Sequence, residues 1–108
     1  VPRFVILEHD WPTLHWDFLL EAGPVLRAWR LLGEPGSART VPAEPNGDHR
    51  LLYLDYEGPL GGDRGRVRRW DAGTFAWVEN GGGRVVVELH GERVSGRCVV
   101  ESGRWAIV

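Results

Sequence analysis

At 108 residues, with a formal net charge of −2 and 43% apolar residues, the chain has room for one hydrophobic core, expected as a single domain over residues 1–108. That charge excludes a domain that coats nucleic acid by electrostatics alone, no apolar run approaches a membrane span of about 20 residues, and no signal peptide is visible. A lone cysteine, Cys98, excludes an internal disulfide and fits a reducing, cytoplasmic setting.

In chain order, short segments of alternating apolar and polar residues predict strands over residues 3–8, 15–21, 25–32, 51–57, 65–71, 73–78, 84–90, 95–101 and 104–108. No stretch of a dozen residues sustains a 3.6-residue period, so the fold class is all-β. Turn chemistry separates the segments at Ala22-Gly23-Pro24, Asp71-Ala72-Gly73, Asn80-Gly81-Gly82-Gly83, Gly91-Glu92-Arg93 and Ser102-Gly103. Sequential hairpins of this length predict a compact, mostly antiparallel β-barrel of about eight strands, which removes free sheet edges. Residues 33–47 carry no strand pattern and read as a long functional loop. The glycine-containing run 57–65 lacks a Gly-Lys-Ser/Thr ending and a following helix, so it reads as a tight turn and not as a phosphate-binding loop. Six tryptophans, 11, 16, 29, 70, 77 and 105, supply large core side chains despite 15 glycines and 7 prolines. Because the chain starts at Val1 and contains no methionine, the native start is expected to lie outside it.

Chemistry-bearing residues concentrate between Glu8 and Glu21. On a strand His15, Asp17 and Glu21 share one face, and Trp16, Phe18 and Leu20 share the other. His9 precedes a Trp-Pro turn that returns the chain toward the polar face, so His9 and Asp17 are candidate ligands for one divalent ion, with His49 as the third. Two imidazoles and a carboxylate leave coordination positions open and suit Mn²⁺, Zn²⁺, Co²⁺ or Fe²⁺. His15 and Tyr53 are the candidate acid–base or phosphate-touching partners, and Glu21 would orient a ligand from behind. Arg30, Arg50, Arg64 and Arg66 are candidates for phosphate contact, since a guanidinium binds phosphate oxygens bidentately. The competing assignment is structural: His9 capping a turn, Asp17 paired with an arginine, and His49 on the surface. The same two-histidine, one-carboxylate set also occurs in non-haem iron oxygenases.

Arg3-Phe4-Val5-Ile6, Glu8-His9, Leu14-His15-Trp16-Asp17-Phe18 and Leu20-Glu21 together resemble the opening motif of the 3′-phosphoesterase domain of bacterial DNA ligase D. The resemblance continues through Asp48-His49, Tyr53, Asp55-Tyr56-Glu57-Gly58, Trp70-Asp71, Gly73-Thr74-Phe75 and 89–96 to Trp105-Ala106-Ile107, covering nearly the whole chain. It implies a compact β-barrel holding a transition metal, typically manganese, that trims 3′-phosphates and 3′-terminal ribonucleosides from DNA ends. It further implies that His9, Asp17 and His49 are ligands and that His15 and Tyr53 touch the scissile phosphate. The implied partners are nucleic-acid 3′ ends and DNA repair proteins, with no membrane. Three departures stand out. The family pattern has a phosphate-holding arginine where this chain has Leu19, and a lysine expected after Trp29 has no counterpart in Arg30-Leu31-Leu32-Gly33-Glu34. The family's catalytic N-terminal arm is likewise unmatched. These departures favour a second reading, a non-catalytic module that keeps the fold and metal and binds a nucleic-acid end or a repair partner.

Overall fold

The structure, a computed structural model, describes residues 1–36 and 39–108. Among the described residues, nine strands form one antiparallel sheet: β1 (Arg3–His9), β2 (His15–Ala22), β3 (Val25–Leu31), β4 (Thr40–Arg50), β5 (Gly58–Pro59), β6 (Arg66–Asn80), β7 (Arg84–Gly91), β8 (Ser95–Glu101) and β9 (Arg104–Ile107). The order β1-β2-β3-β4-β9-β8-β7-β6 returns to β1 through a β1–β6 pairing, so eight strands close a ring, and β5 adds outside it on β6. This is the all-β, antiparallel architecture of about eight strands that the hairpin pattern predicts. No helix of the described residues is long and apolar enough to cross a membrane.

Strand alternation divides the apolar residues into two cores. Phe4 and Ile6 of β1, Trp16, Phe18 and Leu20 of β2, Trp29 of β3, Phe75 of β6, Val87 of β7, Cys98 of β8 and Trp105 of β9 form one cluster, drawn from every strand of the ring and therefore filling its inside. Trp105 is wholly buried and meets Phe18 edge-on, with ring centroids 5.9 Å apart. Burial pushes the Cys98 thiol well above its ordinary range, which keeps it an inert core group. On the opposite face Val5, Leu7, Leu19, Leu26, Ala28 and Val67 make a second cluster, covered by Leu54, Tyr53, Tyr56 and Leu60 from the segment between β4 and β6.

Three expected elements differ. Most of the stretch read as a loop over 33–47 belongs to β4, which pairs with β3 along 43–50 and with β9 along 40–42; positions 37 and 38 of that reading lie outside the described residues. Pro42, Pro45 and Gly47 erase its alternation, and pairing on both sides holds it extended instead. The strand expected over 51–57 is a single 3-10 turn, Leu51–Leu54, followed by irregular chain. The break expected at Asp71-Ala72-Gly73 is absent, because β6 runs straight through it. A Cβ at Gly73 would lie 2.0 Å from the carbonyl oxygen of His90, so this glycine permits close strand approach and does not make a turn. The other four turn segments close hairpins, including Ser102-Gly103 between β8 and β9, where both residues take positive φ, 53° and 74°.

Candidate metal centre

The outward face of β1, β2 and β3 carries the chemistry. His9 pairs across strands with His15, and Asp17 lies between Leu7 of β1 and Arg30 of β3. Adjacent same-face neighbours on β2 put Asp17 beside His15, so one carboxylate meets two imidazoles. Nδ1 of His9 lies 3.4 Å from one oxygen of Asp17, and Nε2 of His15 lies 3.3 Å from the other. Candidate ligand atoms from His9, His15 and Asp17 all fall within 4.8 Å of one another. Asp17 and His15 are buried, and the His9 side chain keeps only 12% exposure.

The hydrogen positions follow from the carbonyls the rings touch. Nε2 of His9 lies 2.9 Å from the carbonyl oxygen of Arg64, and Nδ1 of His15 lies 2.9 Å from that of Thr13. A carbonyl only accepts, so each of those nitrogens carries the hydrogen. In the neutral rings, Nδ1 of His9 and Nε2 of His15 are then bare lone pairs aimed at a carboxylate, which also only accepts. Accordingly, Nε2 of His15 and Oδ1 of Asp17 are buried with no hydrogen-bond partner among the described residues. Three acceptors converging in a buried spot need a cation among them, a proton or a metal. Without metal, the proton is drawn to His15. Burial is the largest influence on its pKa and lowers it, but hydrogen bonding with Asp17 and Thr13 and the carboxylate charge together raise it above the ordinary value, against a smaller lowering from Arg30. The fixed tautomers and the orphaned atoms fit a divalent metal held by two nitrogens and a carboxylate, each ring steadied by a carbonyl behind it.

Asp17 and His9 open into a cleft of about 160 Å³ whose wall also includes Arg30, His49, Tyr53 and Arg64. His49 therefore stands beside the centre, while His15 completes the tight group of three. Nδ1 of His49 is hydrogen-bonded to the carbonyl of Gly47 at 2.7 Å, leaving Nε2 free, and its ring meets that of Tyr53 with centroids 5.9 Å apart. The 3-10 turn after β4 brings Tyr53 back against His49. Nε of Arg30 is buried with no partner and lies two residues along the same face from Ala28, the cross-strand neighbour of Leu19. Leu19 itself is fully buried in the outer apolar cluster.

Three expected site residues lie elsewhere: Glu21, Arg50, and Arg66, which is exposed on β6 beside Asp10 and Arg68. Glu21 sits near the far end of β2, about 13 Å along the strand from Asp17, and its carboxylate accepts the backbone N–H of Arg3 at 2.8 Å. Arg50 is exposed at the end of β4 and does not line the cleft. Asn46 and Leu60 do line it, although sequence reading passed over both. Asn46 was hidden in the patternless β4, and Leu60 in a glycine-rich turn.

Compared with known families, residues 7–101 match the DNA ligase D 3′-phosphoesterase domain. The multifunctional non-homologous end joining DNA repair protein LigD of Mycobacterium tuberculosis (strain H37Rv) is 36% identical over 115 residues, covering 94% of this chain. Multifunctional non-homologous end joining protein LigD of Pseudomonas aeruginosa (strain PAO1) is 31% identical over 88% of the chain, and that of Mycolicibacterium smegmatis is 30% identical over 88%. The chain spans 15%, 12% and 15% of the length of these three relatives, respectively.

Proposed function

Because this chain belongs to the DNA ligase D 3′-phosphoesterase domain family, we propose that it is a metal-dependent phosphoesterase that removes 3′-phosphates or 3′-terminal ribonucleotides during DNA end repair. The observation that carries this reading is the Asp17 carboxylate flanked by two imidazole lone pairs whose opposite nitrogens are committed to backbone carbonyls. His9, Asp17 and His15 would hold the metal, Mn²⁺ by family likeness, with Zn²⁺ or Co²⁺ also suited to the donor set. His49, expected in the ligand set, is assigned instead to the phosphate side with Tyr53. The bound ion would polarise a phosphoryl oxygen and favour a nucleophilic water.

The chain's own residues supply the rest. Arg30 places its guanidinium, whose buried Nε has no partner among the described residues, on the cleft wall next to Asp17 across the strands, where it neutralises phosphate charge in place of the arginine that Leu19 replaces. Tyr53 donates its hydroxyl to a phosphate oxygen. Because Nδ1 of His49 donates to the carbonyl of Gly47, Nε2 presents a lone pair to the cleft and accepts a proton from the attacking water. The buried Leu7 and half-buried Leu60 walls limit bulk water and strengthen these contacts.

The test is incubation of metal-stripped protein with a primer–template bearing a 3′-phosphate or one 3′-ribonucleotide, with and without Mn²⁺. Removal that requires Mn²⁺ and is lost in His49→Ala supports the enzyme. Burial of Leu19 among apolar side chains favours the second reading, a binding module, and no removal by protein holding stoichiometric metal would establish that reading over the first.

A further inference from the structure

The turn between β1 and β2 exposes two apolar side chains beside the cleft, Trp11 at 43% and Leu14 at 55%. Trp11 is the exception among the six tryptophans. Trp16, Trp29 and Trp105 are buried, Trp70 lies under the guanidinium of Arg93 at 4.7 Å, and Trp77 packs edge-on against Phe75 at 5.0 Å. The turn that carries it is held firmly. Asp10 accepts the N–H of Arg66 at 2.8 Å, and a Cβ at Gly65 would fall 2.6 Å from Cβ of Trp11, so the indole's base rests directly on the backbone of residue 65. The turn and the segment beneath it both reach the metal centre: the carbonyl of Thr13 fixes His15, and Arg64, the residue before Gly65, gives its carbonyl to His9. Arg64 also lines the cleft, and among the described residues it has no carboxylate partner.

We propose that Trp11 is a base-stacking platform that receives the nucleobase adjoining the scissile phosphate, with Arg64 taking the next phosphodiester. The proposal rests on the phosphoesterase reading only for where the strand ends. A chain of net charge −2 gains little from counterion release, so its hold on a nucleic-acid strand must come from contacts that need no net charge. Stacking is such a contact. It accepts any base, since every base has a π face.

Binding is read by fluorescence anisotropy of a short labelled single strand ending in a 3′-phosphate, in EDTA so that no turnover occurs. The terminal nucleotide is either intact or abasic. Trp11→Ala is expected to weaken binding of the intact strand about 10-fold (~1.4 kcal/mol) and Trp11→Phe less than about threefold. The abasic unit is expected to cost the unmodified protein the same factor and to cost Trp11→Ala nothing further. Equal affinity of the unmodified protein for intact and abasic strands overturns the proposal, as does a Trp11→Ala loss that is the same on both strands. So does the absence of measurable binding. Release of the 3′-phosphate with Mn²⁺ is followed separately: release without base-dependent binding leaves the phosphoesterase reading standing alone, and base-dependent binding without release leaves the platform standing alone.

Discussion

Asp17 is the residue on which the centre turns, because it is the one group that touches both His9 and His15. Asp17→Asn removes the charge and offers a lone-pair-facing N–H in its place; Mn²⁺ affinity measured by calorimetry is expected to fall at least about 100-fold with the fold intact. In the metal-free protein His15 makes stability pH-dependent. Its folded pKa is raised, so the protonated ring stabilises the fold fully below the unfolded value of about 6.5, and that contribution is lost as pH rises through the folded pKa. Urea melts of metal-free protein taken upward in pH from below 6.5 are expected to show this decline, and His15→Gln is expected to flatten it. Leu19 answers to packing instead. Leu19→Arg puts an unpaired cation between Val5 and Ala28 and is expected to cost about 3–5 kcal/mol by chemical denaturation, whereas Leu19→Met should cost less than about 1.5 kcal/mol.

Among the elements, β2 was legible because its alternation is unbroken and its two faces differ in chemistry, so His15 and Asp17 could be placed on one side from parity alone. β4 was not, since prolines, Gly47 and charged residues leave it only Val41 and Ala43 as an apolar face, and pairing with both neighbours makes it a strand. The long β6 read as two strands because a glycine needed for close approach looks the same in sequence as one needed for a turn. The site was legible as a set of residues, but which two histidines lie against Asp17 depends on cross-strand register, which local pattern does not contain. The hairpin from β7 to β8 shows an element held by one side chain. Buried Asp71 of β6 accepts the backbone N–H groups of Ala72, Glu92, Arg93 and Val94 at 2.9–3.0 Å. Asp71→Ala strands these donors and is expected to lower stability by about 2–4 kcal/mol without changing metal affinity.

At the scale of the molecule, one wall of the ring separates the two apolar clusters, and β1, β2 and β3 contribute to both. Neither cluster can come apart without moving strands of the other, so tryptophan fluorescence and far-ultraviolet circular dichroism are expected to report one coincident urea transition. The closing pair of the ring has a consequence in time. Arg3 meets Thr74 and His9 meets Val67, while Thr40 waits for Ala106. During synthesis the first strand therefore leaves the ribosome long before its second neighbour exists, and the fourth strand's far neighbour emerges almost last. Through that interval the nascent sheet has two bare edges, open to other chains. Such distant pairings also make refolding slow for this length, on the order of milliseconds to seconds. Slower translation or lower growth temperature should raise the yield of folded protein, since each gives the ends of the sheet time to find one another before a stranger does.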